Sequence, residues 1–268
     1  MSVQAHDIKF SYGPRFTLRV DHLEAGAGEF LGVIGANGSG KTTLMKILAG
    51  LLAPDSGRIL LDDLPIEKYT SARRAARLAY VPQSHQPAFE FTVEQTVLLG
   101  RLPHRNSMGG FEREEDLAAT TEAIELMDLS ALRHEPVTRL SGGELQRAMI
   151  ARGLAQQTGN LLLDEPNSHL DIAHQQSVLA TVRGLTRRRG LCVIASIHDL
   201  NLASIYSDRI IAMAGGRIIA SGRPAEVLTP ETLRETFGAE LVIEENVYGD
   251  APAIRYHHEA EEGAHHGR

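Results

Sequence analysis

The chain has 268 residues, more than one average domain, and 43% of them are hydrophobic, which is enough for a proper core. Its net charge of −7 disfavours a general nucleic-acid binder, because such proteins carry a strongly basic surface. No run approaches the roughly 18 apolar residues of a membrane span, and no signal peptide is expected at the start. The single cysteine, Cys192, lies in an apolar run and is interpreted as a buried thiol in a reducing cytosol.

Hydrophobic patterns predict the order of the elements along the chain. Residues 1–83 predict an antiparallel edge, a strand–loop–helix unit and a further strand, whereas residues 84–157 predict helices with few strand signals. Residues 158–222 return to strand–helix alternation, which is typical of a parallel sheet. Two weak strands are predicted at 241–247 and 253–257.

The first motif along the chain is a phosphate-binding loop, GANGSGKT at residues 35–42, between a predicted strand (29–34) and a predicted helix (41–50). Its glycines let successive amides point at a phosphate, where the helix N-terminus adds positive polarity. Lys41 is placed for the β- and γ-phosphates and the Thr42 hydroxyl for Mg²⁺, so the pattern favours ATP over a glycine-rich turn that binds nothing. The residues predicted to hold nucleotide here are Gly35, Ala36, Asn37, Gly38, Ser39, Gly40, Lys41, Thr42 and Thr43.

A second glycine-rich loop, LSGGELQR at 140–147, has no lysine behind it. Ser141 is a good N-cap for a helix over roughly residues 143–156, and Gly142 and Gly143 leave backbone N–H groups uncovered at its start. The loop therefore predicts a second anion site at a helix N-terminus. The alternative is an ordinary capped helix, because Glu144 completes a capping box. The two interpretations are compatible.

Two adjacent carboxylates follow the short apolar strand predicted at 160–163. Ligands bind at the carboxyl ends of strands in open α/β sheets, and Asp164 suits Mg²⁺ there. Glu165 projects differently and is a candidate base for attacking water. Alone, the pair could equally be a solvated turn or a helix cap, but behind a phosphate loop a catalytic pair is favoured.

At LSGGELQR the chain resembles the ATP-binding cassette (ABC) ATPases, and residues 3–240 follow the layout of that family. The resemblance implies an α/β fold in which a RecA-like P-loop NTPase core carries an antiparallel β-subdomain, with a helical subdomain inserted at 84–157. Residues 241–268 would form a C-terminal extension with a disordered, histidine-rich tail. In the family the second loop meets the γ-phosphate of ATP held by another subunit. A head-to-tail homodimer with two sandwiched ATP molecules is therefore expected, with Ser141, Gly142 and Gly143 as nucleotide contacts.

Single residues match further family positions. Tyr12 matches the aromatic that stacks on adenine, and Gln83 the glutamine that senses Mg²⁺ and attacking water and links to the membrane subunit. Residues 168–171 match the loop that crosses to the partner, with Asp171 as a nucleotide contact. His198 matches the histidine at the γ-phosphate. A single tyrosine, glutamine or histidine is usually an ordinary surface or core residue. These roles are therefore inferred from the position of each residue relative to the family motifs. The implied catalytic residues are Glu165, His198 and Gln83, and the implied Mg²⁺ ligands are Thr42, Gln83 and Asp164.

One position departs from the family pattern. Asn167 stands where the family usually has threonine or another small residue. It lies beside the predicted catalytic carboxylate, so an effect on rate or on dimer contacts is expected, without a challenge to the assignment.

Three segments resemble one branch of the family, the ATPases of importers for ferric siderophores, haem and vitamin B12: residues 92–104, 198–210 and 227–238. The ATPases of molybdate and tungstate importers have similar sequences in these segments. In all these systems the cargo passes through the membrane subunits, so no residue of the ATPase contacts it. The resemblance implies a peripheral protein on the cytoplasmic face of the inner membrane, bound to polytopic permease subunits and served indirectly by a substrate-binding protein. The apolar side chains of Val93, Val97 and Leu98 either face that permease or pack the helical lobe.

Other classes of cassette protein fit less well. A soluble cassette ATPase of DNA repair or Fe–S assembly usually carries a long coiled-coil or DNA-binding insertion. A translation-factor cassette protein needs two phosphate loops, and an exporter half-transporter carries its own membrane spans. No nucleic-acid partner is expected.

The C-terminal tail contains His257, His258, His265 and His266 among three glutamates. Such a tract could bind a divalent metal. A disordered, soluble terminus is the favoured interpretation, because no scaffold or cysteine fixes a geometry.

Overall fold

A ten-stranded sheet organises the computed structural model, which describes residues 1–83, 89–104, 113–168, 170–244 and 251–256. Two further strands pair separately as an antiparallel hairpin. The strands are β1 (Ser2–Ser11), β2 (Thr17–Gly26), β3 (Phe30–Gly35), β4 (Ser56–Leu61), β5 (Leu64–Pro65), β6 (Leu78–Val81), β7 (Asn160–Asp164), β8 (Cys192–Ser196), β9 (Arg209–Ala214), β10 (Arg217–Gly222), β11 (Leu241–Glu244) and β12 (Ala253–Tyr256).

The α-helices of the described ranges lie between and after these strands. They are α1 (Lys41–Leu48), α2 (Ser71–Ala75), α3 (Val93–Leu98), α4 (Glu114–Leu126), α5 (Gly142–Ala155), α6 (Ile172–Arg189), α7 (Leu200–Tyr206), α8 (Pro224–Val227) and α9 (Pro230–Phe237). Within these ranges, no helix combines the length and the apolar character that crossing a bilayer requires.

The large sheet joins a parallel part to an antiparallel part, in the order β5-β4-β1-β2-β10-β9-β3-β8-β7-β6. Strands β6, β7, β8, β3 and β9 are mutually parallel. Strands β5, β4, β1 and β2 are antiparallel, and β10 joins them to the rest through one parallel pair, Arg217 with Arg19. The predicted α/β core with an antiparallel β-subdomain is confirmed.

The central strands are buried along their whole length. Every residue of β3, β7 and β8 is buried, as expected for parallel strands covered on both faces. Their apolar runs were recognisable in the sequence for that reason. Carboxyl ends of parallel strands meet at one edge, so Gly35, Asp164 and Ser196 lie close together there. This edge is where the predicted site residues converge.

Helix α1 follows the loop and buries Leu44, Ile47 and Leu48, the apolar stripe predicted from sequence. The helix ends at Leu48, two residues before the predicted end. Gly50 adopts a left-handed conformation (φ +66°), which is a common way for a helix to end.

The predicted helical segment contains α3, α4 and α5 within its described residues. Val93 and Val97 of α3 are fully buried in the core that these helices share, so they pack the helical lobe and do not face a membrane partner. Leu98 is half-buried. Residues 84–88 and 105–112 of this segment, residues 245–247 of the predicted weak strand and the predicted histidine-rich tail lie outside the described residues.

The predicted buried thiol is confirmed. Cys192 of β8 is 1% exposed, and burial raises the pKa of its thiol to about 12. The thiol is therefore protonated and inert at neutral pH.

Candidate functional site

The phosphate-binding loop connects the end of β3 to the start of α1. Gly40 caps the helix with φ +104°, a left-handed conformation that favours glycine. A Cβ on Gly35 would lie 2.5 Å from the backbone oxygen of Met213, so only glycine fits this close approach. Both glycines are therefore required by the backbone path, as the sequence pattern predicted.

Lys41 points back into the loop from the first turn of α1. Its side chain is buried, and Nζ donates to the carbonyl oxygens of Gly35 at 2.8 Å and Ala36 at 3.2 Å. Burial lowers the pKa of Lys41, while the negative charges of Glu165 and Asp164 oppose that shift. A positive charge is thus held inside the loop, beside the amides that suit a phosphate.

A cavity of about 420 Å³ opens over this loop. Ten residues line it, namely Tyr12, Phe16, Asn37, Gly38, Gly40, Lys41, Thr42, Thr43, Gln83 and Glu165. Nine of them were predicted as site residues, and Phe16 was not. Phe16 could have been identified from the sequence as an aromatic residue at the start of a predicted strand, four positions after Tyr12. The ring of Tyr12 is 53% exposed and packs edge-on against Phe10 at 4.7 Å, which leaves a face for a planar ligand.

Asp164 is fully buried at the end of β7 and accepts three hydroxyl hydrogen bonds. Ser196 Oγ donates to Oδ1 at 2.8 Å, Thr42 Oγ1 donates to Oδ1 at 3.3 Å, and Tyr80 OH donates to Oδ2 at 3.3 Å. Burial, reinforced by the charge of Asp164, raises the pKa of Tyr80, so the phenol stays protonated and can donate. Sequence reasoning missed Tyr80 and Ser196, because a hydroxyl in a strand carries no motif.

Glu165 adopts φ +53°, a left-handed conformation that costs a non-glycine residue roughly 1–3 kcal/mol. Several contacts hold it there. Its backbone N–H donates to Ser196 Oγ at 2.8 Å, and its carboxylate contacts Gln83 Nε2 and lies 2.5 Å from His198 Nε2. The three residues predicted to be catalytic therefore meet at one carboxylate beside the loop.

The second glycine-rich loop forms a capped helix start. Ser141 Oγ accepts from the N–H of Glu144 at 3.3 Å, and the Glu144 carboxylate accepts from the N–H of Ser141 at 2.8 Å. Hydrogen bonds from Ser141 lower the pKa of Glu144. The capped-helix interpretation is confirmed. Ser141 and Gly142 are exposed, and the described part of the cavity does not include them or Gly143.

Asp171 caps helix α6 in its own chain. Its carboxylate accepts from the N–H of His174 at 2.9 Å and lies 2.8 Å from that ring. It does not line the described part of the cavity, and neighbouring His169 lies outside the described residues. Contacts of Asp171 with nucleotide on a second subunit stay a prediction.

Asn167 is buried beside Glu165, and its backbone oxygen accepts from Gln175 Nε2 at 3.2 Å. Its expected effect on rate or dimer contacts stays a prediction.

The donor set fits MgATP. Asp164, Thr42 and Gln83 offer hard oxygen atoms of the kind that Mg²⁺ prefers. Among the described residues, no group of three or more His, Cys, Asp or Glu side chains could hold a metal ion by itself. Mg²⁺ is usually bound through one or two carboxylates together with substrate phosphates, and Asp164 beside the loop would supply one such carboxylate.

Comparisons with known proteins agree with this site. The family model described as ABC transporter matches residues 18–168. The hemin import ATP-binding protein HmuV of Pseudomonas aeruginosa is 41% identical over 94% of this chain and 98% of that protein. The petrobactin import ATP-binding protein FpuC of Bacillus anthracis is 37% identical over 90% of this chain and 88% of that protein. The cobalamin import ATP-binding protein BtuD of Halobacterium salinarum is 40% identical over 83% of this chain, which covers 55% of that relative.

Solved structures agree as well. An inward-facing metal-chelate-type ABC transporter matches with a TM-score of 0.81 at 26% identity, over 94% of this chain and 95% of that one. A dimeric bacterial ABC transporter cassette matches with a TM-score of 0.73 at 25% identity, over 82% of this chain and 98% of that one. The predicted ABC ATPase fold is confirmed. By its matched segment, its relatives and its phosphate loop, the chain belongs to the ABC transporter family, as an ATP-binding subunit with ATPase activity.

Proposed function

We propose that this ATPase powers a binding-protein-dependent importer, with an iron chelate (haem or a ferric siderophore) or cobalamin as its cargo. The catalytic part of this proposal rests on one observation. Gln83 and His198 both contact the Glu165 carboxylate, and Glu165 lines the same cavity as Lys41. In this proposal Glu165 is the base, His198 is the γ-phosphate contact and Lys41 is the phosphate-binding charge. Support comes from the cavity that Glu165 and Lys41 both line and from the contact of His198 with Glu165.

Each residue has a chemical role in the proposed hydrolysis. Lys41 and the loop amides bind the β- and γ-phosphates, and the Tyr12 ring stacks on adenine. Glu165 accepts a proton from the water that attacks the γ-phosphorus, while the bond to the β-phosphate oxygen breaks and ADP leaves. His198 contacts the γ-phosphate and orients Glu165. Asp164, Thr42 and Gln83 would hold Mg²⁺, which neutralises phosphate charge when bound.

A head-to-tail homodimer completes the proposed site. Ser141 and Gly142 are exposed at the N-terminus of α5, where backbone amides and the helix dipole suit an anion. Within the described residues of one chain these groups do not line the ATP cavity, so a second subunit is the natural source of the anion. The dimeric cassette among the similar structures supports this arrangement.

The proposed partners are polytopic permease subunits and, indirectly, a substrate-binding protein, with the ATPase peripheral on the cytoplasmic face of the inner membrane. Support comes from relatives whose names describe import. An exposed aromatic pair adds to it: Phe89 and Phe91, 68% and 40% exposed, follow Gln83 along the chain, and their ring centres are 5.7 Å apart. Solvent-exposed aromatics of this kind are frequent in protein interfaces.

The cargo is tested by uptake in a strain that lacks this gene. Labelled haem, a ferric siderophore and cobalamin are offered in turn, and the strain is complemented with the wild type or with Glu165→Gln. We expect uptake of one of these compounds to be lost and to return only with the wild type. Normal uptake of all three compounds, with loss of molybdate or tungstate uptake instead, would overturn the proposed cargo. The assignment as an ATPase would be unaffected.

A further inference from the structure

Ser196 occupies a position between the two carboxylates of the site. It ends strand β8, is fully buried, and pairs in register with Asp164 of β7. Its Oγ donates to Asp164 Oδ1 at 2.8 Å and accepts the backbone N–H of Glu165 at 2.8 Å. A hydroxyl can donate one hydrogen bond, and here the Asp164 carboxylate accepts it. The Ser196 hydroxyl is thus hydrogen-bonded to both members of the carboxylate pair, to the side chain of Asp164 and to the backbone of Glu165.

These two hydrogen bonds have different consequences. The bond to Asp164 fixes one carboxylate oxygen, the same Oδ1 that Thr42 reaches at 3.3 Å. The bond to the N–H of Glu165 fixes the backbone at the residue whose φ of +53° turns the chain away from the strand. Both carboxylates would therefore shift together if this hydroxyl were lost. Ser196 itself does not line the described part of the cavity, so it acts through its neighbours.

We propose that Ser196 is a positioning residue that couples the orientation of Asp164, the expected Mg²⁺ ligand, to that of Glu165, the expected base. The inference rests on the proposed function of those two residues. Hydrogen bonds behind a metal ligand set the orientation of that ligand, and their loss typically changes metal affinity or activity by about 10- to 100-fold.

The chain offers a matched control for this hydroxyl. Ser207 is also buried (5% exposed) in the core of the protein, but its Oγ has no hydrogen-bond partner among the described residues. Ser207→Ala therefore makes the same chemical change in the core without touching either carboxylate. A difference between the two alanine variants isolates the two hydrogen bonds of Ser196.

The experiment compares the purified full-length wild type with Ser196→Ala, Ser196→Thr and Ser207→Ala. The readout is the Mg²⁺ concentration that gives half of the ATP-dependent thermal stabilisation, together with kcat and KM. Ser196→Ala should raise that Mg²⁺ concentration by about tenfold and lower kcat by a similar factor. Binding of ATP in EDTA should stay within about twofold, because Lys41 and the loop are untouched. Ser196→Thr keeps the hydroxyl and should recover most of both losses.

A Mg²⁺ midpoint and kcat for Ser196→Ala equal to those of Ser207→Ala would overturn the inference. If Ser196→Ala does not fold, Ser196→Cys keeps a similar volume with only a weak donor, and the same Mg²⁺ shift is expected from it. A wild-type midpoint for that variant would count against the inference too. Failure of the proposed function is distinguishable, because it would appear as wild-type turnover by Glu165→Gln in the same assay.

Discussion

The carboxylate of Glu165 lies 2.5 Å from Nε2 of His198, although the two residues sit at the ends of different strands. Residue 165 follows β7 and residue 198 follows β8, and the register of that strand pair brings them together. The contact makes His198 a support for the expected base as well as a candidate γ-phosphate contact. The site is therefore built from strand pairing.

The two glycine-rich loops should respond differently to substitution. Ser141→Arg and Gly142→Asp place bulk or negative charge at the N-terminus of α5, so they should block ATP-dependent dimerisation while monomer affinity for nucleotide changes little. Lys41→Ala should weaken nucleotide binding directly, because it removes the charge held inside the loop. Fluorescent-nucleotide titration measures affinity, and light scattering measures the dimer.

Ser141→Ala is the control for that comparison. It removes the N-cap, at a cost of about 1 kcal/mol, but adds no bulk or charge. Dimerisation should weaken less in this variant than in Ser141→Arg, because it loses one expected nucleotide contact without gaining a clash. Equal loss of monomer nucleotide affinity in Ser141→Arg and Lys41→Ala would contradict the head-to-tail model.

A charge on the exposed aromatic pair should uncouple hydrolysis from transport. Phe89→Glu alters a side chain that is 68% exposed, so the ATPase activity of the isolated protein should persist. Uptake in cells should fall strongly, since the surface proposed to meet the permease is lost. Leu64→Glu, at an exposed leucine of the short edge strand β5, is the control and should transport normally. Wild-type uptake by Phe89→Glu would remove this surface from the coupling path.

The buried ion pair of Arg101 and Asp116 should be important for the stability of the helical lobe. Arg101 Nε donates to Asp116 Oδ1 at 2.9 Å and its NH1 donates to the carbonyl of Ala155 at 2.8 Å. Asp116→Asn leaves a buried charge without its partner, which costs about 3–5 kcal/mol in urea unfolding. Glu240→Gln, in an exposed pair with Arg234, should cost under about 1 kcal/mol. Equal losses of unfolding free energy in Asp116→Asn and Glu240→Gln would show that burial of the Arg101–Asp116 pair is unimportant.

Acid should weaken the cap of α5. Hydrogen bonds from Ser141 lower the pKa of Glu144 below its ordinary value of 4.5. A depressed pKa in the folded state means that the cap stabilises the protein above about pH 4.5, and that this contribution fades as the pH falls through the lower folded value. The Tm advantage of the wild type over Glu144→Gln should therefore shrink between about pH 5 and pH 3. A Tm difference between the wild type and Glu144→Gln that stays constant over that pH range would contradict a stabilising role of the ionised Glu144 in the cap.

Sequence alone predicted the parts of the site that carry a pattern. The loop at 35–42 and the strand before Asp164 were recognisable because they combine glycine spacing or apolar runs with strand and helix signals. Ser196 and Tyr80 were not, since their hydroxyls matter only through the register of β8 and β6 against β7. Phe16 likewise depends on how the antiparallel strands fold over the loop.

Burial also could not be assigned from periodicity. Val93 and Val97 repeat at helical spacing, which fits a face packed against α4 and α5 as well as a face exposed to a permease. The structure buries both completely. The exposed aromatic surface lies instead at Phe89 and Phe91, just before the helix.

Turnover by Glu165→Gln tests the central claim most directly. The carboxylate touches Gln83 and His198 beside the loop, so the amide should remove the base and leave the phosphate contacts intact. We expect kcat to fall by at least about 100-fold, with ATP affinity retained and an ATP-bound dimer accumulating. Glu67→Gln, at an exposed carboxylate, is the matched control and should hydrolyse ATP normally. Near-wild-type hydrolysis by purified Glu165→Gln would contradict the account.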